Sequence, residues 1–414
     1  MLSGAPAIDY ETSSSMNVRN SFSPSEAETV SGPLSKIVRI ETFPVPPRWL
    51  FVRVETSDGL IGWGEGSLEG HTEAVEGAFV ALRDRFIGAD AERIEDMWQV
   101  AYRLGFYRGG PVLMSALSGL DQALWDIKGK RYGVPVHQLL GGRVRDRLPV
   151  YAWVGGDRPS DVLDGAKVRM EQGFKAVKMN ATDDLGWVDS PRVLDQVAER
   201  VAEVKSLGLD VGLDFHGRVH KPMAKQLAKV LEPLHPLFIE EPLLSEHPEA
   251  IKQLSLLTTI PIAFGERLYS RWDVKRFLED ASIDILQLDL SHAGGISESR
   301  RIAAMAEAYD VALAPHCPLG PIALGACLQL GLATPNFVIQ EMSLGIHYNT
   351  GGHDLLAYLT NPEVFDVKDG MVEANYRPGL GIDVNEALVR EISRDCPPWR
   401  NPAWRGPDGY VREW

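Results

Sequence analysis

The chain has 414 residues, 44% of them hydrophobic, and a formal net charge of −15, which gives length and apolar content enough for two domains with a sizeable core. An acid excess of that size, with no Lys/Arg-rich run, excludes a phosphate-neutralising surface for nucleic acid, and no apolar stretch approaches the roughly 20 residues of a membrane helix. Three cysteines, Cys317, Cys327 and Cys396, without CxxC spacing, exclude a disulfide framework and a zinc knuckle and fit a reducing cytoplasm.

In chain order, residues 1–34 are rich in Ser, Ala, Pro and Glu, lack the basic start and apolar middle of a secretory signal, and are expected to form a disordered N-terminal extension. Alternating segments KIVRIETF, WLFVRVET and IGWGE follow, the last two joined through Ser57-Asp58-Gly59, which predicts a hairpin. Helical periodicity then runs over Thr72 to Phe86, Ile94 to Leu104 and Leu113 to Arg131, so residues 35–145 are expected to be an α+β capping domain. The glycines around Trp63 do not open a helix with GxGxxG spacing, which leaves dinucleotide binding unsupported.

After Gly141-Gly142, the runs LPVYAWVGG and FKAVKMN predict two strands. Six further apolar runs end in Asp214, Glu240, Glu266, Asp289, His316 and Glu341, at steps of 26, 26, 23, 27 and 25 residues. A strand, a return helix and two loops need about that length, so residues 146–348 read as eight β-α units of a parallel barrel whose strand ends share one face. Return helices are expected over Ser190 to Lys205, Pro222 to Leu231, Arg271 to Leu278 and Ser297 to Ala308. Residues 349–414, rich in Pro, Gly and Trp from Pro397 onward, are expected to be irregular and to pack back on the capping domain.

Asp214, Glu240 and Glu266 offer hard oxygen ligands at successive strand ends, a donor set suited to Mg²⁺; each alone could equally cap a helix, and the common register favours the metal. Glu241 alternates to the other side of its strand and is the weaker candidate. His316 with Asp289 on the preceding strand end forms a potential carboxylate–imidazole pair, which fixes the tautomer and raises the basicity of a proton-abstracting ring. His216 stands two residues beyond Asp214, on the same side of an extended chain, where it could be an acid beside the metal or a solvated loop residue. His292 could line the mouth or begin a helical turn. Glu341 could hydrogen-bond a substrate or join a rim ion pair. Lys178 and Asn180 share one side of the second strand; the lysine could offset substrate charge or act as a base, and the asparagine cannot take a proton.

With FYRGGP, VGGDRP, LDFHGRV, FIEEP, GER, LSHAGGI, APHCPLGPIAL and QEMSLGIHYN, the chain resembles the mandelate racemase subgroup of the enolase superfamily from about Lys36 onward, and within it the sugar-acid dehydratases. The resemblance implies an α/β fold, a modified TIM (β/α) barrel with an N-terminal α+β capping domain. It also implies one Mg²⁺ per subunit on Asp214, Glu240 and Glu266, a base His316 supported by Asp289, an acid His216 and an enediolate-stabilising Glu341. The Lys-x-Lys pair of many relatives is here Lys178-Met179-Asn180, which suits a dehydratase better than a racemase that needs bases on both faces, and Leu288 stands where proline is expected.

The implied reaction is dehydration of a sugar acid, D-galactonate foremost, to a 2-keto-3-deoxy acid in a cytoplasmic homo-oligomer. Arg48, Trp49, Tyr107 and Arg108 are the loop residues expected to read the distal hydroxyls. The rival readings are a dehydratase for another aldonate or aldarate, an α-hydroxy acid epimerase, and a non-catalytic sugar-acid binding protein.

Overall fold

The near-continuous apolar run that opens WLFVRVET asks for a strand buried on both faces, and the structure, a computed structural model, sorts that strand accordingly. It describes residues 35–344, 346, 348, 349 and 353–414; the extension expected over residues 1–34 lies outside them. Strands β1 (Ile37–Val45), β2 (Trp49–Thr56) and β3 (Ile61–Glu65) form an antiparallel sheet in that order. On β2, Leu50, Val52 and Val54 enter a core with helices α1 (Thr72–Phe86), α2 (Ile94–Arg103) and α3 (Pro111–Tyr132), while Trp49 and Phe51 face a second core shared with the barrel. The glycines of β3 have a packing role: a Cβ on Gly64 would lie 1.9 Å from the Gly119 carbonyl oxygen, and one on Gly62 would lie 2.1 Å from that of Ala123. Sheet and helix backbones therefore touch, which gives this glycine run a packing role.

After the short α4 (Val136–Leu139), eight strands among the described residues run parallel: β4 (Arg147–Trp153), β5 (Ala176–Asn180), β6 (Asp210–Asp214), β7 (Phe238–Glu240), β8 (Ile262–Phe264), β9 (Ile285–Leu286), β10 (Ala312–Leu313) and β11 (Gln340–Met342). Each of β4 to β9 pairs with the next, β11 returns to pair with β4, and an isolated parallel bridge from Leu313 of β10 to Phe337, just before β11, closes the ring. The outside is covered by α5 (Val162–Glu171), α6 (Arg192–Lys205), α7 (Lys221–Leu231), α8 (Pro248–Ser255), α9 (Arg271–Glu279), α10 (Gly295–Ala308) and α11 (Pro321–Leu332). This is the modified TIM barrel with an α+β cap. No helix among the described residues is long and apolar enough to cross a membrane.

The C-terminal stretch is less irregular than its composition suggests. Strands β12 (Val367–Lys368) and β13 (Met371–Glu373) form a small hairpin, and β13 runs antiparallel to the start of β4. Helix α12 (Glu386–Ile392) reaches the cap sheet, where Arg390 pairs with Glu41 at 2.9 Å and Glu386 with Arg53 at 3.1 Å. Strands of two and three residues are too short to leave a periodic trace in sequence.

Buried acids join cap to barrel at helix N-termini, where free amides and the helix dipole favour a carboxylate. From β3, Glu65 accepts Gly320 N–H at 2.8 Å and Ala323 N–H at 3.0 Å at the start of α11, and the Ser67 hydroxyl at 2.7 Å. From α3, Asp121 accepts Ser297 N–H at 3.0 Å and its hydroxyl at 2.5 Å at the start of α10. Burial pushes both acids up to about 7 against the pull of these hydrogen bonds. Glu65→Ala strands two amides and a hydroxyl in a dry interface, and urea unfolding at neutral pH is expected to show a loss of about 2–4 kcal/mol. A change below about 0.5 kcal/mol, the size of an ordinary surface substitution, would show that the junction does not depend on it.

Candidate active site at the barrel mouth

Parallel pairing puts every strand end on one face, and the register decides which side chains meet there. Asp214 and Glu240 are direct partners across β6 and β7, and Asn180 is the partner of Asp214 across β5 and β6. Lys178, fully buried, donates to Glu240 Oε1 at 2.6 Å and lies 2.9 Å from Glu341 Oε1 and 3.9 Å from Asp214 Oδ2. Gln287 donates to the other Glu240 oxygen at 2.8 Å. Burial alone would depress the Lys178 ammonium, but Glu240 and Glu341 outweigh it and hold it well above the usual lysine value. Lys178 is therefore a fixed cation, and of the two roles open to it, charge compensation and proton abstraction, this geometry supports the first.

Glu240, Glu266 and His316 each offer a ligand atom within 4.8 Å of the others, and Glu266 Oε2 is buried without a hydrogen-bond partner among the described residues. A buried carboxylate oxygen that makes no hydrogen bond among the described residues, with the His316 ring at 3.3 Å, beside a second carboxylate fits a hard divalent cation. Asp214 stands on the adjacent strand but outside that close group, and its Oδ1 accepts the His216 N–H at 2.6 Å. Of the expected trio, Asp214 and Glu266 line the cavity and Glu240 lies beneath Lys178, while the tightest cluster substitutes an imidazole for Asp214. Glu241 turns away with φ +40°, its Oε1 accepting Gly265 N–H at 3.0 Å.

His316 Nδ1 lies 2.9 Å from Asp289 Oδ2, and Asp289 is itself fixed by Ser291 N–H at 2.7 Å. The ring's Nε2 lies 3.3 Å from Glu266. Burial would lower its pKa, yet Glu266, Glu341 and Asp289 together raise it well above the ordinary histidine value. Glu341 accepts the Cys317 N–H at 2.8 Å, which ties the last strand end to the residue after His316. His216 lines the same cavity, although strand alternation does not place it there: the chain turns left-handed at His216, φ +55°. Its Nδ1 is 3.0 Å from the Trp414 main-chain oxygen and 3.2 Å from Arg218 Nη2. Burial, then Arg218 and Arg267, push this ring down to about 3. The two imidazoles are thus set apart by their neighbours, carboxylates around one and guanidinium groups around the other.

A cavity of about 450 Å³ lies above these groups, within the usual range for small-molecule sites. The cap contributes Arg48, Glu69 and His71, barrel loops contribute Asp157, Arg267, Tyr269, His292 and Tyr348, and the C-terminal stretch contributes Asn401, Glu413 and Trp414. Arg48 is buried, 3.6 Å from Glu69 and 4.2 Å above the Tyr348 ring. His292 is buried too, with Nδ1 3.0 Å from the Ser115 hydroxyl of the cap. Asn180 donates to the Gly156 and Asp157 carbonyl oxygens at 3.0 and 3.2 Å, leaving a buried Oδ1 with no hydrogen-bond partner among the described residues.

Three expected substrate contacts do not reach the cavity. Trp49 packs in the core against Phe51 and Tyr358, because strand alternation turns it to the opposite side of the chain from its neighbour Arg48. Tyr107, 82% exposed, and Arg108 sit on a surface loop of the cap. Asp157, Arg267, Tyr348 and Trp414 were missed by sequence reasoning. Their loops carry no periodicity; the motifs VGGDRP, GER and QEMSLGIHYN contain Asp157, Arg267 and Tyr348, and none contains Trp414.

Residues 161–388 match the enolase C-terminal domain-like family, and residues 45–141 match the mandelate racemase / muconate lactonizing enzyme N-terminal domain. The D-galactonate dehydratase of Verminephrobacter eiseniae is 56% identical over 382 residues, 92% of this chain and all of that protein; that of Pectobacterium atrosepticum is 56% identical over the same shares. Among solved structures, an enolase from Pantoea ananatis with bound D-gluconate and Mg superposes with a TM-score of 0.80 at 30% identity, covering 91% of this chain and 99% of that one. Sequence profiles, close relatives and barrel geometry agree, and the chain belongs to the enolase superfamily, in its mandelate racemase / muconate lactonizing enzyme branch.

Proposed function

We propose that this protein is a Mg²⁺-dependent hydro-lyase that converts D-galactonate to 2-keto-3-deoxy-D-galactonate, with one Mg²⁺ per subunit on Glu240, Glu266 and Asp214. The observation that carries the reading is the unequal pair of histidines on one cavity, His316 bonded to Asp289 at 2.9 Å and His216 bonded to a main-chain oxygen at 3.0 Å. Relatives 54–56% identical over nearly the whole chain are D-galactonate dehydratases, which supports the substrate. Bound there, Mg²⁺ supplies a positive field that offsets Glu266, the leading influence holding a proton on His316, and that stabilises charge developing on a substrate carboxylate.

The chain's own groups then divide the work. Asp289 fixes the His316 tautomer so that Nε2 takes the proton from carbon 2, and the electron pair spreads into the carboxylate as an enediolate. That pair next forms the bond between carbons 2 and 3, the bond from carbon 3 to its hydroxyl breaks, and His216 Nε2 gives the proton that makes the leaving group water. The substrate's own negative charge, brought beside His216, favours the protonated ring that this step needs. Lys178 holds Glu240 and Glu341 in place, and Arg48 and Asn180 Oδ1 are available to the distal hydroxyls. An epimerase needs a base on the second face. Asn180 cannot serve, and Lys178 is held protonated.

With Mg²⁺ and D-galactonate, a 2-keto-3-deoxy acid is expected by semicarbazide detection, and a chelator should abolish its formation. No turnover of D-galactonate beside strong turnover of another sugar acid would move the substrate and keep the class. His316→Asn is expected to lower both carbon-2 deuterium exchange and dehydration by about 10²–10⁴-fold, whereas His216→Asn should lower dehydration by a similar factor and spare exchange. Equal retention of both activities in both variants would refute the role assignment. Arg48→Met removes a charge-assisted contact of about 1.5–3 kcal/mol, so KM should rise about 10- to 100-fold in steady-state kinetics; an unchanged KM would exclude it from substrate contact.

A further inference from the structure

The stretch after α12 crosses from the cap to the barrel mouth and meets His216 through Trp414. The Trp414 indole N–H donates to Asp157 Oδ2 at 3.1 Å, on a barrel loop, and its ring stands edge-on to His216 at 5.7 Å and tilted against Trp399 at 5.8 Å. Trp399 meets Tyr348 edge-on at 5.3 Å, and Arg48 lies over both of these rings. Trp404, in the same stretch, covers Arg218 at 4.9 Å and Arg158 at 4.1 Å. Three tryptophans of one segment therefore brace the wall that holds His216.

His216 Nδ1 has two neighbours with opposite demands. The Trp414 main-chain oxygen, 3.0 Å away, accepts a proton, whereas Arg218 Nη2, 3.2 Å away, can only donate one. A ring nitrogen cannot serve both at once. Donation to Trp414 orients the ring, as a carboxylate orients the base in a triad. Pairing with Arg218 gives up that hold. The indole bond to Asp157 ties the residue that carries this oxygen to a barrel loop.

We infer that Trp414 is a positioning residue for His216: its main-chain oxygen, 3.0 Å from Nδ1, and its ring, edge-on to the imidazole at 5.7 Å, fix the orientation in which that imidazole meets the departing 3-hydroxyl. The inference rests on the dehydratase reading above and adds a residue that does not itself react. Trp414→Ala removes the anchor, and Trp414→Phe keeps an aromatic ring, smaller than the indole, without the N–H.

Dehydration and deuterium incorporation at carbon 2 of recovered D-galactonate are followed together in D₂O with Mg²⁺. In Trp414→Ala, kcat for dehydration is expected to fall about 10²-fold, a typical share of acid catalysis, with KM within about threefold of the original and exchange retained. Trp414→Phe is expected to fall between Trp414→Ala and the original chain. Parallel loss of exchange and dehydration in both variants would mean collapse of the wall and would overturn the inference. A raised KM with unchanged kcat would overturn it in favour of a plain substrate contact, and unaltered kinetics would overturn it outright. If the unmodified chain neither exchanges nor dehydrates, the parent reading falls and this one with it, an outcome visible before any variant is made.

Discussion

Asp214, Glu240, Glu266 and Glu341 are gathered at one end of the barrel, and buried like charges at that density repel strongly unless countered. The Lys178 ammonium, 2.6 Å from Glu240 and 2.9 Å from Glu341, supplies the counter-charge from the protein side. Removing one partner from such a cluster leaves an uncompensated buried charge, which costs far more than the pair contributes. The parallel pairing of β5, β6 and β7 makes the arrangement possible, since it sets Asn180, Asp214 and Glu240 in one row. One ammonium offsets only part of the charge of four carboxylates, and the cavity, the dyad and the roof are all built above that partly compensated floor.

The roof is attached by the same electrostatic logic at longer range. Glu65 and Asp121 on the cap reach the first turns of α11 and α10 on the barrel, so buried carboxylates meet free amides instead of water. Those helices follow the loops after β9 and β10 that carry His292 and His316, so docking the cap and fixing the two rings are linked. His292 makes the link directly through Ser115 of α3. The C-terminal stretch closes a third side, with Arg390 on Glu41 of the cap sheet and Trp404 on Arg218 of the barrel.

Two imidazoles in one cavity acquire different proton affinities from their surroundings. Asp289 and Glu266 face His316, whereas Arg218 and Arg267 crowd His216. The difference is one of charge and not of ring chemistry, so it depends on which residues of distant loops fold alongside each strand end. His216 also shows that two-residue spacing is an unsafe guide at a strand terminus. It shares the cavity with Asp214 because the backbone turns left-handed there, at a conformational cost that non-glycine residues bear mainly at functional sites.

By itself the sequence determined the barrel and its chemical face. A regular interval between acid-ended apolar runs is a direct consequence of repeating strand and helix lengths, and parallel pairing then sends every run to the same rim. The cap sheet and its helices were legible for the same reason, through periods of 2 and 3.6 residues. What only the tertiary structure decided lies where no period exists. Arg48 enters the cavity while Trp49 is turned into the core. Asp214 commits an oxygen to a backbone amide, Lys178 becomes a fixed cation, and Trp414 arrives from nearly two hundred residues away in sequence to meet His216. Those outcomes depend on loops and long-range contacts, whose geometry is set by what packs against them and leaves no local trace in the order of residues.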